Sequence, residues 1–152
     1  DISVSGGSFT CQSSSHGGFL YAGDNTRANI TGALVEHNVA GKRGGAVYCS
    51  GNGVSSVTIE GGTFRHNVAL ESGGVVAYSG ASTLVTITGG TFSNNSAKFY
   101  GGFAFLEAEA NITCEGVTIK HHNAGEQGGG IYAREATLVK SSCDLVDNES
   151  PQ

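Results

Sequence analysis

The sequence contains no methionine, no tryptophan and only one proline, Pro151, which stands close to the carboxyl end. Charged residues make up 14% of the chain, and neither a run of like charges nor a linker-like segment divides it. We therefore expect residues 1–152 to form one domain. The 13 acidic residues outnumber the 8 basic ones and give a formal net charge of −5, which argues against a nucleic-acid partner.

Glycine is abundant, with 25 residues, and Val, Ile, Thr and Phe fill the apolar runs. Glycine weakens helix interiors, whereas β-branched and aromatic residues favour strands. The segments Val57–Glu60 and Val85–Thr88 alternate apolar and polar residues, which indicates strands with one buried face. The composition excludes a helical repeat and predicts an all-β chain.

A short pattern recurs along the whole chain: an apolar anchor, two spacers and Asn, then a Gly pair and an aliphatic strand. The anchors are Phe9, Val35, Phe64, Phe92, Ile119 and Leu145. The Gly pairs begin at Gly17, Gly44, Gly73, Gly101 and Gly128. A period of about 27 residues predicts a parallel β-helix, in which each coil buries its apolar side chains against its neighbours. Five coils are nearly complete, and a sixth begins near Ala136.

Stacking the coils in register sorts the residues into columns. An aliphatic column two residues after each Gly pair predicts one wall of the core: Leu20, Val47, Val76, Ala104 and Ile131. The anchors form the other wall. A polar column three residues after the anchors predicts a structural amide ladder: Gln12, Asn38, Asn67, Asn95, His122 and Asn148. Glu36 and Arg65 directly follow their anchors, so the same register places them together as an ion pair.

The ends of the chain bear on its context. The sequence shows no signal peptide or membrane span and begins abruptly within a strand pattern at Ile2. Neither end shows the polar cap that a terminal coil needs. We therefore expect a fragment of a longer solenoid, or a chain that associates end to end with other copies of itself.

The cysteines and sequons bear on the compartment. Cys114 and Cys143 fall in neighbouring coils but about three columns apart, which is long for a disulfide unless the last coil slips in register. A disulfide between them and small buried thiols therefore stay as alternatives. Four N-x-[ST] sequons are candidate glycosylation sites, which would lie on a secreted protein: Asn29, Asn94, Asn111 and Asn148.

The repeat motifs resemble those of a known family. Gly44–Val47 and Gly73–Val76 are similar to the GG[A/V/L][I/V] tetrapeptide of the chlamydial polymorphic outer membrane protein repeat, and Phe64–Asn67 and Phe92–Asn95 are similar to its F-x-x-N tetrapeptide. The resemblance covers nearly the whole chain, although some anchors and ladder positions depart from it. It implies a right-handed, single-stranded β-helix that serves as a surface-exposed passenger or adhesin. It implies no catalytic residue and no cofactor.

Carboxylates and histidines are the residues of this chain that could carry out catalysis or bind a metal. Carbohydrate-active β-helices need clustered carboxylates, but Glu60 and Glu115 share a column two coils apart, with Thr88 between them. His37 and His66 share the column after Glu36 and Arg65 and lie about one strand spacing apart, close enough to share a transition metal. Solvated corner histidines are the favoured interpretation, because a straight column brings in no third ligand from the next coil.

Aromatic residues supply the better candidate for recognition. The column three residues after the Gly pairs contains Tyr21, Tyr48, Ala77, Phe105 and Tyr132. If the aliphatic column beside it points inward, strict alternation turns these rings outward, together with Phe19 and Phe103. Such a face would bind sugar rings or a neighbouring protein surface. The alternative is an inverted strand whose rings fill the core.

The sequence thus predicts a non-enzymatic, extracellular or cell-surface solenoid without a cofactor, which acts as an adhesin or as a component of a filament or coat. Its expected partners are further copies or coils of itself, glycans or host-cell surface proteins. The alternative function is a carbohydrate-binding or carbohydrate-active β-helix of the pectate-lyase kind that uses the aromatic face.

Overall fold

The chain folds into a parallel β-solenoid of about five coils with a spacing of about 27 residues, as predicted. The computed structural model describes residues 1–51, 53–80 and 83–151. Equivalent strands of successive coils pair in parallel and form three sheets. The ten-stranded sheet covers two faces of the solenoid because its longest strand runs through both, and each five-stranded sheet forms one further face.

The strands are grouped by face in the order in which each coil visits them. Face 1 contains β1 (Ile2–Ser5), β5 (Arg27–Thr31), β9 (Ser55–Glu60) and β13 (Thr83–Thr88). Face 2 contains β2 (Ser8–Thr10), β6 (Leu34–Glu36), β10 (Thr63–Arg65) and β14 (Thr91–Ser93). The long strands β17 (Asn111–Lys120) and β20 (Thr137–Val146) pass through both. Face 3 contains β3 (Ser13–Ser14), β7 (Val39–Ala40), β11 (Val68–Ala69), β15 (Ser96–Ala97) and β18 (Asn123–Ala124). Face 4 contains β4 (Leu20–Ala22), β8 (Val47–Ser50), β12 (Val76–Ser79), β16 (Ala104–Glu107) and β19 (Ile131–Arg134).

The coils stack in the predicted register. Each anchor on face 2 pairs with the anchor of the next coil, from Phe9 through to Leu145. The aliphatic column on face 4 pairs in the same way, and its three middle members are fully buried. Leu145 remains 42% exposed because it lies in the last coil of the stack. Both predicted columns therefore line the interior, and face 1 adds a third wall that includes Ile30, Ile59 and Ile87.

The Gly pairs form the corner before face 4. Gly73 has a φ of 72°, a left-handed conformation that glycine adopts without steric cost. A Cβ atom on Gly74 would overlap the carbonyl oxygen of Gly102 in the next coil. Each pair therefore combines a sharp turn with close contact between coils, and any larger residue would push the coils apart.

This corner also corrects one prediction. Phe103 is fully buried and Phe19 packs against the same core, with its ring 4.5 Å from that of Phe9. Both residues directly follow a Gly pair, where the chain is still turning, so strict alternation does not yet apply. Two successive residues of each coil therefore point inward at this corner, and neither phenylalanine belongs to the outer aromatic face.

The predicted amide ladder is present from Asn38 to Asn148, and its four rungs from Asn38 to His122 are buried. Gln12 is not a rung, because it is exposed and its side-chain amide donates to Thr10 of its own coil. The Oδ1 atom of Asn67 accepts hydrogen bonds from the backbone N–H and the side-chain amide of Asn38, at 3.1 and 2.9 Å. The amide of Asn67 donates to the carbonyl oxygen of Val35 and to Oδ1 of Asn95, each at 3.0 Å. Both asparagines are fully buried, so these bonds satisfy polar groups that water does not reach.

Histidine replaces asparagine at one rung without interrupting the ladder. Nδ1 of His122 accepts the backbone N–H of Asn95 at 3.2 Å, and Nε2 donates to the carbonyl oxygen of Phe92 at 3.1 Å. These roles require the neutral imidazole with its proton on Nε2. Burial is the main cause that lowers the pKa of His122 from 6.5 to about 4.

Replacing a residue of the aliphatic column tests the register. Val76→Asp places an unpaired carboxylate in the apolar interior, so we expect the free energy of unfolding to fall by more than about 4 kcal/mol. The matched control is Leu84→Asp, because Leu84 is 44% exposed on face 1. Thermal melts followed by circular dichroism measure both changes. Equal melting temperatures for the two variants would contradict the register.

The neutral His122 predicts a pH-dependent stability. Because its pKa is lower in the folded chain than its ordinary value of 6.5, its contribution is complete above pH 6.5 and is lost as the pH falls towards about 4. The loss amounts to about 3 kcal/mol. Urea unfolding at pH 7.5 and pH 4.5 measures it. His122→Asn restores an uncharged rung and should remove most of the difference, and an unchanged difference in that variant would exclude His122 as the cause.

Candidate functional site

The outer surface of face 4 carries two parallel columns of functional side chains. The aromatic column contains Tyr21, Tyr48, Ala77, Phe105 and Tyr132, paired in register from coil to coil. A second column, directly before the Gly pairs, contains Arg43, Ser72, Tyr100 and Gln127, which are joined by parallel bridges. The two columns flank the corner before face 4, so their side chains meet above it.

The aromatic column lies outside the solenoid core but is not the open patch that the sequence predicts. Tyr48, Ala77 and Phe105 form a separate apolar cluster, against which Tyr100 and Tyr132 pack. Tyr48 and Phe105 are only 7% and 3% exposed, whereas Tyr21 is 54% exposed. The predicted direction of these rings is therefore correct, but neighbouring side chains cover the middle of the column.

Ala77 leaves a gap in this column, and Arg43 fills it. The guanidinium of Arg43 lies 5.1 Å from the centroid of the Phe105 ring, in a cation–π contact. Its Nη1 atom donates to Glu107 at 3.1 Å, although the two residues are 64 positions apart in the chain. Arg43 therefore reaches across the coil that contains Ala77 and connects the coils on either side of it.

An ion-pair network surrounds this guanidinium. Glu107 binds Arg43 through one carboxylate oxygen and Arg134 of the next coil through the other. Glu71 lies 3.8 Å from the Nε atom of Arg43. The side chain of Glu107 is 17% exposed, whereas that of Arg134 is 62% exposed. The network thus joins four successive coils and presents one largely solvated guanidinium, that of Arg134, at its edge.

Together these residues enclose a cavity of about 250 Å³, here called the face-4 cleft. Its lining is Arg43, Glu71, Ser72, Phe99, Tyr100, Phe105, Glu107, Tyr132 and Arg134. The ring of Tyr132 is stacked on Phe105 at 5.7 Å and on Tyr100 at 4.9 Å. A hydrogen bond to the carboxylate of Glu126 raises the pKa of Tyr100, so the hydroxyl donates to Glu126 and its oxygen stays available as an acceptor. Aromatic walls with a few oriented polar groups are typical of binding sites.

The residue columns of the sequence predict only part of this site. The predicted aromatic column includes Tyr132 and Phe105, whereas Arg43, Tyr100 and Glu107 belong to no predicted site. Arg43 and Tyr100 both directly precede a Gly pair, which is a signal that the same register contains. The reach of Arg43 over two coils could not be read from columns, because it depends on the length of the side chain and on the small size of Ala77.

The corner histidines are placed as predicted. His37 and His66 are exposed, and their rings are stacked with centroids 5.0 Å apart. The ion pair predicted beside them is also present, with Nε of Arg65 2.6 Å from Glu36. Glu60 and Glu115 each pair with Thr88, as the column predicts. His16 lies apart from the corner, against the ring of Tyr48.

Cys114 and Cys143 form a disulfide, with their Cα atoms 6.0 Å apart. Of the two alternatives that the sequence leaves open, the disulfide is therefore present. The two cysteines lie three columns apart, but the corner between faces 1 and 2 falls between these columns. Gly116, with a φ of 63°, turns β17 there, and the pairing with β20 shifts register on both sides of Glu115. Side chains on the two sides of such a corner converge inside it. Cys11 is an exposed free thiol, and burial raises the pKa of the free Cys49 thiol to about 12.

The candidate glycosylation sites differ in their environments. Asn29 and Asn94 are exposed. Asn111 is half-buried and donates to the carbonyl oxygen of Glu109 at 3.2 Å. Asn148 is a ladder residue, whose amide donates to Ile119 and whose Oδ1 accepts the backbone N–H of His122. A glycan on Asn148 would compete with the ladder, so Asn29 and Asn94 are the candidates whose amides face solvent.

Comparison with protein-family models, with curated proteins and with solved structures finds no match to this chain. Residues 1–51, 53–80 and 83–151 include no helix that is long and apolar enough to cross a membrane. In the same ranges, no group of three or more His, Cys, Asp or Glu residues is arranged to hold a metal ion.

The disulfide predicts a redox-dependent stability. It closes a segment with a sequence separation of 29, so its loss should lower the free energy of unfolding by about 3 to 4 kcal/mol. Chemical unfolding with and without dithiothreitol measures the effect. A chain with both Cys114→Ser and Cys143→Ser should be equally destabilised and indifferent to the reductant, whereas Cys11→Ser should behave like the parent. Four free thiols in the untreated protein would contradict the pairing.

Proposed function

We propose that this chain is a non-enzymatic, extracellular solenoid that acts as a surface adhesin and binds its partner through the face-4 cleft. The observation that carries the proposal is the cleft itself, where aromatic rings and ion-paired Arg and Glu side chains lie together on the outside of the solenoid. The ladder and the core walls are explained by stability alone. The cleft is not needed for stacking the coils, since the backbone bridges already join them.

The ion pairs of the cleft favour binding over catalysis. General acid or base catalysis requires a carboxyl group that can exchange a proton with a substrate. Both oxygens of Glu107 are held by guanidinium groups, those of Arg43 and Arg134. Such a carboxylate orients its neighbours and accepts hydrogen bonds. The exposed guanidinium of Arg134 and the hydroxyl of Tyr100 are then the groups that meet a ligand.

The disulfide supports the extracellular part of the proposal. Disulfides persist in oxidising compartments and are rare in the cytosol. The Cys114–Cys143 bond joins the last two passes through faces 1 and 2, where it ties β20 to the rest of the stack. The exposed sequons at Asn29 and Asn94 fit the same compartment.

A second candidate function is carbohydrate binding at the same cleft. The cavity of about 250 Å³ is smaller than a typical drug-sized site and suits a single sugar ring. The Tyr100 and Tyr132 rings supply apolar surface, Arg134 supplies hydrogen-bond donors, and the hydroxyl oxygen of Tyr100 supplies an acceptor. An adhesin that binds a glycan would fulfil both candidate functions, so the candidates differ in whether the partner is a protein or a carbohydrate.

Truncating the cleft tests both candidates. The full chain is biotinylated, displayed on streptavidin beads, and applied to a glycan array and to a panel of cultured eukaryotic cells. We expect Tyr132→Ala and Tyr100→Ala each to lower the bound signal by about tenfold or more. Aromatic side chains that become buried against a partner contribute most of the binding free energy. Thr86→Ala, on the outside of face 1, is the control and should leave the signal unchanged.

The glycan array and the cultured cells distinguish the two candidate functions. Signal on cells alone supports a protein receptor, and signal on the array supports a glycan. Binding that all three variants retain would overturn the assignment to the cleft. If the chain binds neither the glycan array nor the cells, the adhesin proposal is overturned. Thermal melts of each variant show whether a lost signal reflects the cleft or the fold.

A further inference from the structure

The corner between faces 2 and 3 presents a column of metal-ligating residue types to solvent. Every coil places one residue there in the left-handed conformation, with φ between 48° and 55°: Cys11, His37, His66, Asn94, His121 and Asp147. All six are exposed. The next residue in each coil belongs to the polar ladder column. Because the chain turns sharply at this point, the corner residue points away from the solenoid.

Within this column, two imidazoles lie side by side. The rings of His37 and His66 are stacked, with centroids 5.0 Å apart and planes 11° from parallel. The backbone fixes their spacing, because the N–H of His37 donates to the carbonyl oxygen of Arg65 and that of His66 to Ser93. The Arg65–Glu36 ion pair holds the preceding positions of the same two coils together. Among the described residues, no hydrogen bond reaches the imidazole nitrogens of either histidine.

We infer that His37 and His66 form a surface chelate for a divalent transition metal ion of the Ni²⁺, Cu²⁺ or Zn²⁺ type. Imidazole nitrogen is a favoured ligand of these ions, at about 2.0–2.1 Å. Two nitrogens on one ion are therefore at most about 4.2 Å apart. An imidazole nitrogen binds an ion in the plane of its ring, so the two nearly parallel rings must rotate about χ1 and χ2 until their nitrogens point to a common ion. Both side chains are exposed, which leaves room for this rotation.

The chelate has two protein ligands, and water completes the coordination. This agrees with the finding that no group of three or more ligating side chains in the described ranges is arranged around a common point. Because the two histidines belong to different coils, an ion bound between them connects those coils. Binding should therefore stabilise the folded chain, since the unfolded chain does not hold the two rings together. The inference is independent of the face-4 cleft.

His121 provides a matched control. It occupies the same corner conformation and is equally exposed, but its neighbours in the column are Asn94 and Asp147. Its Nδ1 atom lies 4.0 Å from Asp147. His121 therefore shares the corner conformation of the proposed ligands but has a carboxylate, not a second imidazole, beside it, and it reports on binding by one corner histidine with a neighbouring carboxylate.

Titration of the full chain with NiCl₂ and with ZnCl₂, followed by isothermal calorimetry, tests the inference. His37→Ala and His66→Ala should each weaken binding by about tenfold or more, because each leaves a single imidazole. His121→Ala should change the affinity less than threefold, and so should Cys11→Ser. The melting temperature of the parent chain should rise with added Ni²⁺, and this rise should vanish in His37→Ala.

Nuclear magnetic resonance locates the ion directly. Low ratios of paramagnetic Ni²⁺ should broaden the imidazole signals of His37 and His66 before those of His16, His121 and His122. Equal affinities for the parent and the His66→Ala variant would overturn the inference. A tenfold loss confined to Cys11→Ser or His121→Ala would also overturn it, because it would place the ligands elsewhere.

Discussion

The buried amide ladder is the interaction on which the rest of this structure depends. The rungs from Asn38 to Asn148 each accept the backbone N–H of the preceding coil at a sharp corner where the regular sheet bonds end, and those from Asn38 to His122 do so in the buried interior. A slip of one residue would leave several of these groups unpaired at once. The ladder therefore holds successive coils in one register, and the register decides which surface residues become neighbours. The stacked histidines and the ion pairs of face 4 both follow from it.

Outside the ladder, the solenoid uses side-chain length to join coils that are not adjacent. Backbone pairing connects each coil only with the next one, as in other repeat proteins. Arg43 is an exception, because the small Ala77 lets its guanidinium reach Phe105 and Glu107 two coils away. The cleft is thus a tertiary feature added to a repetitive scaffold. Four successive coils together supply its aromatic and charged groups, and their contacts give the guanidinium of Arg43 a defined position.

Much of the fold could be predicted because its period is long and regular. The anchors, the aliphatic column and the ladder each need only a count of residues, and all of them lie where the count places them. The prediction that assumed strict alternation is wrong at one corner, because Phe103 points inward directly after a Gly pair. The Cys114–Cys143 disulfide, one of two alternatives that the columns leave open, closes across the turn at Gly116. The cleft was found only in part, because contacts made by a long side chain over an intervening coil leave no trace in a column.

The reach of Arg43 has a consequence for how this repeat can change in length. The ladder and the core walls would accept an additional coil at almost any level, since each level repeats the same contacts. Between Arg43 and Glu107 this freedom is lost: one inserted coil would carry the carboxylate out of reach, and one deleted coil would drive the guanidinium into the ring below it. The number of coils in this stretch is therefore constrained by the cleft, whereas the number elsewhere is free to vary. Variation in coil number along such a chain would mark which of its coils serve only as scaffold.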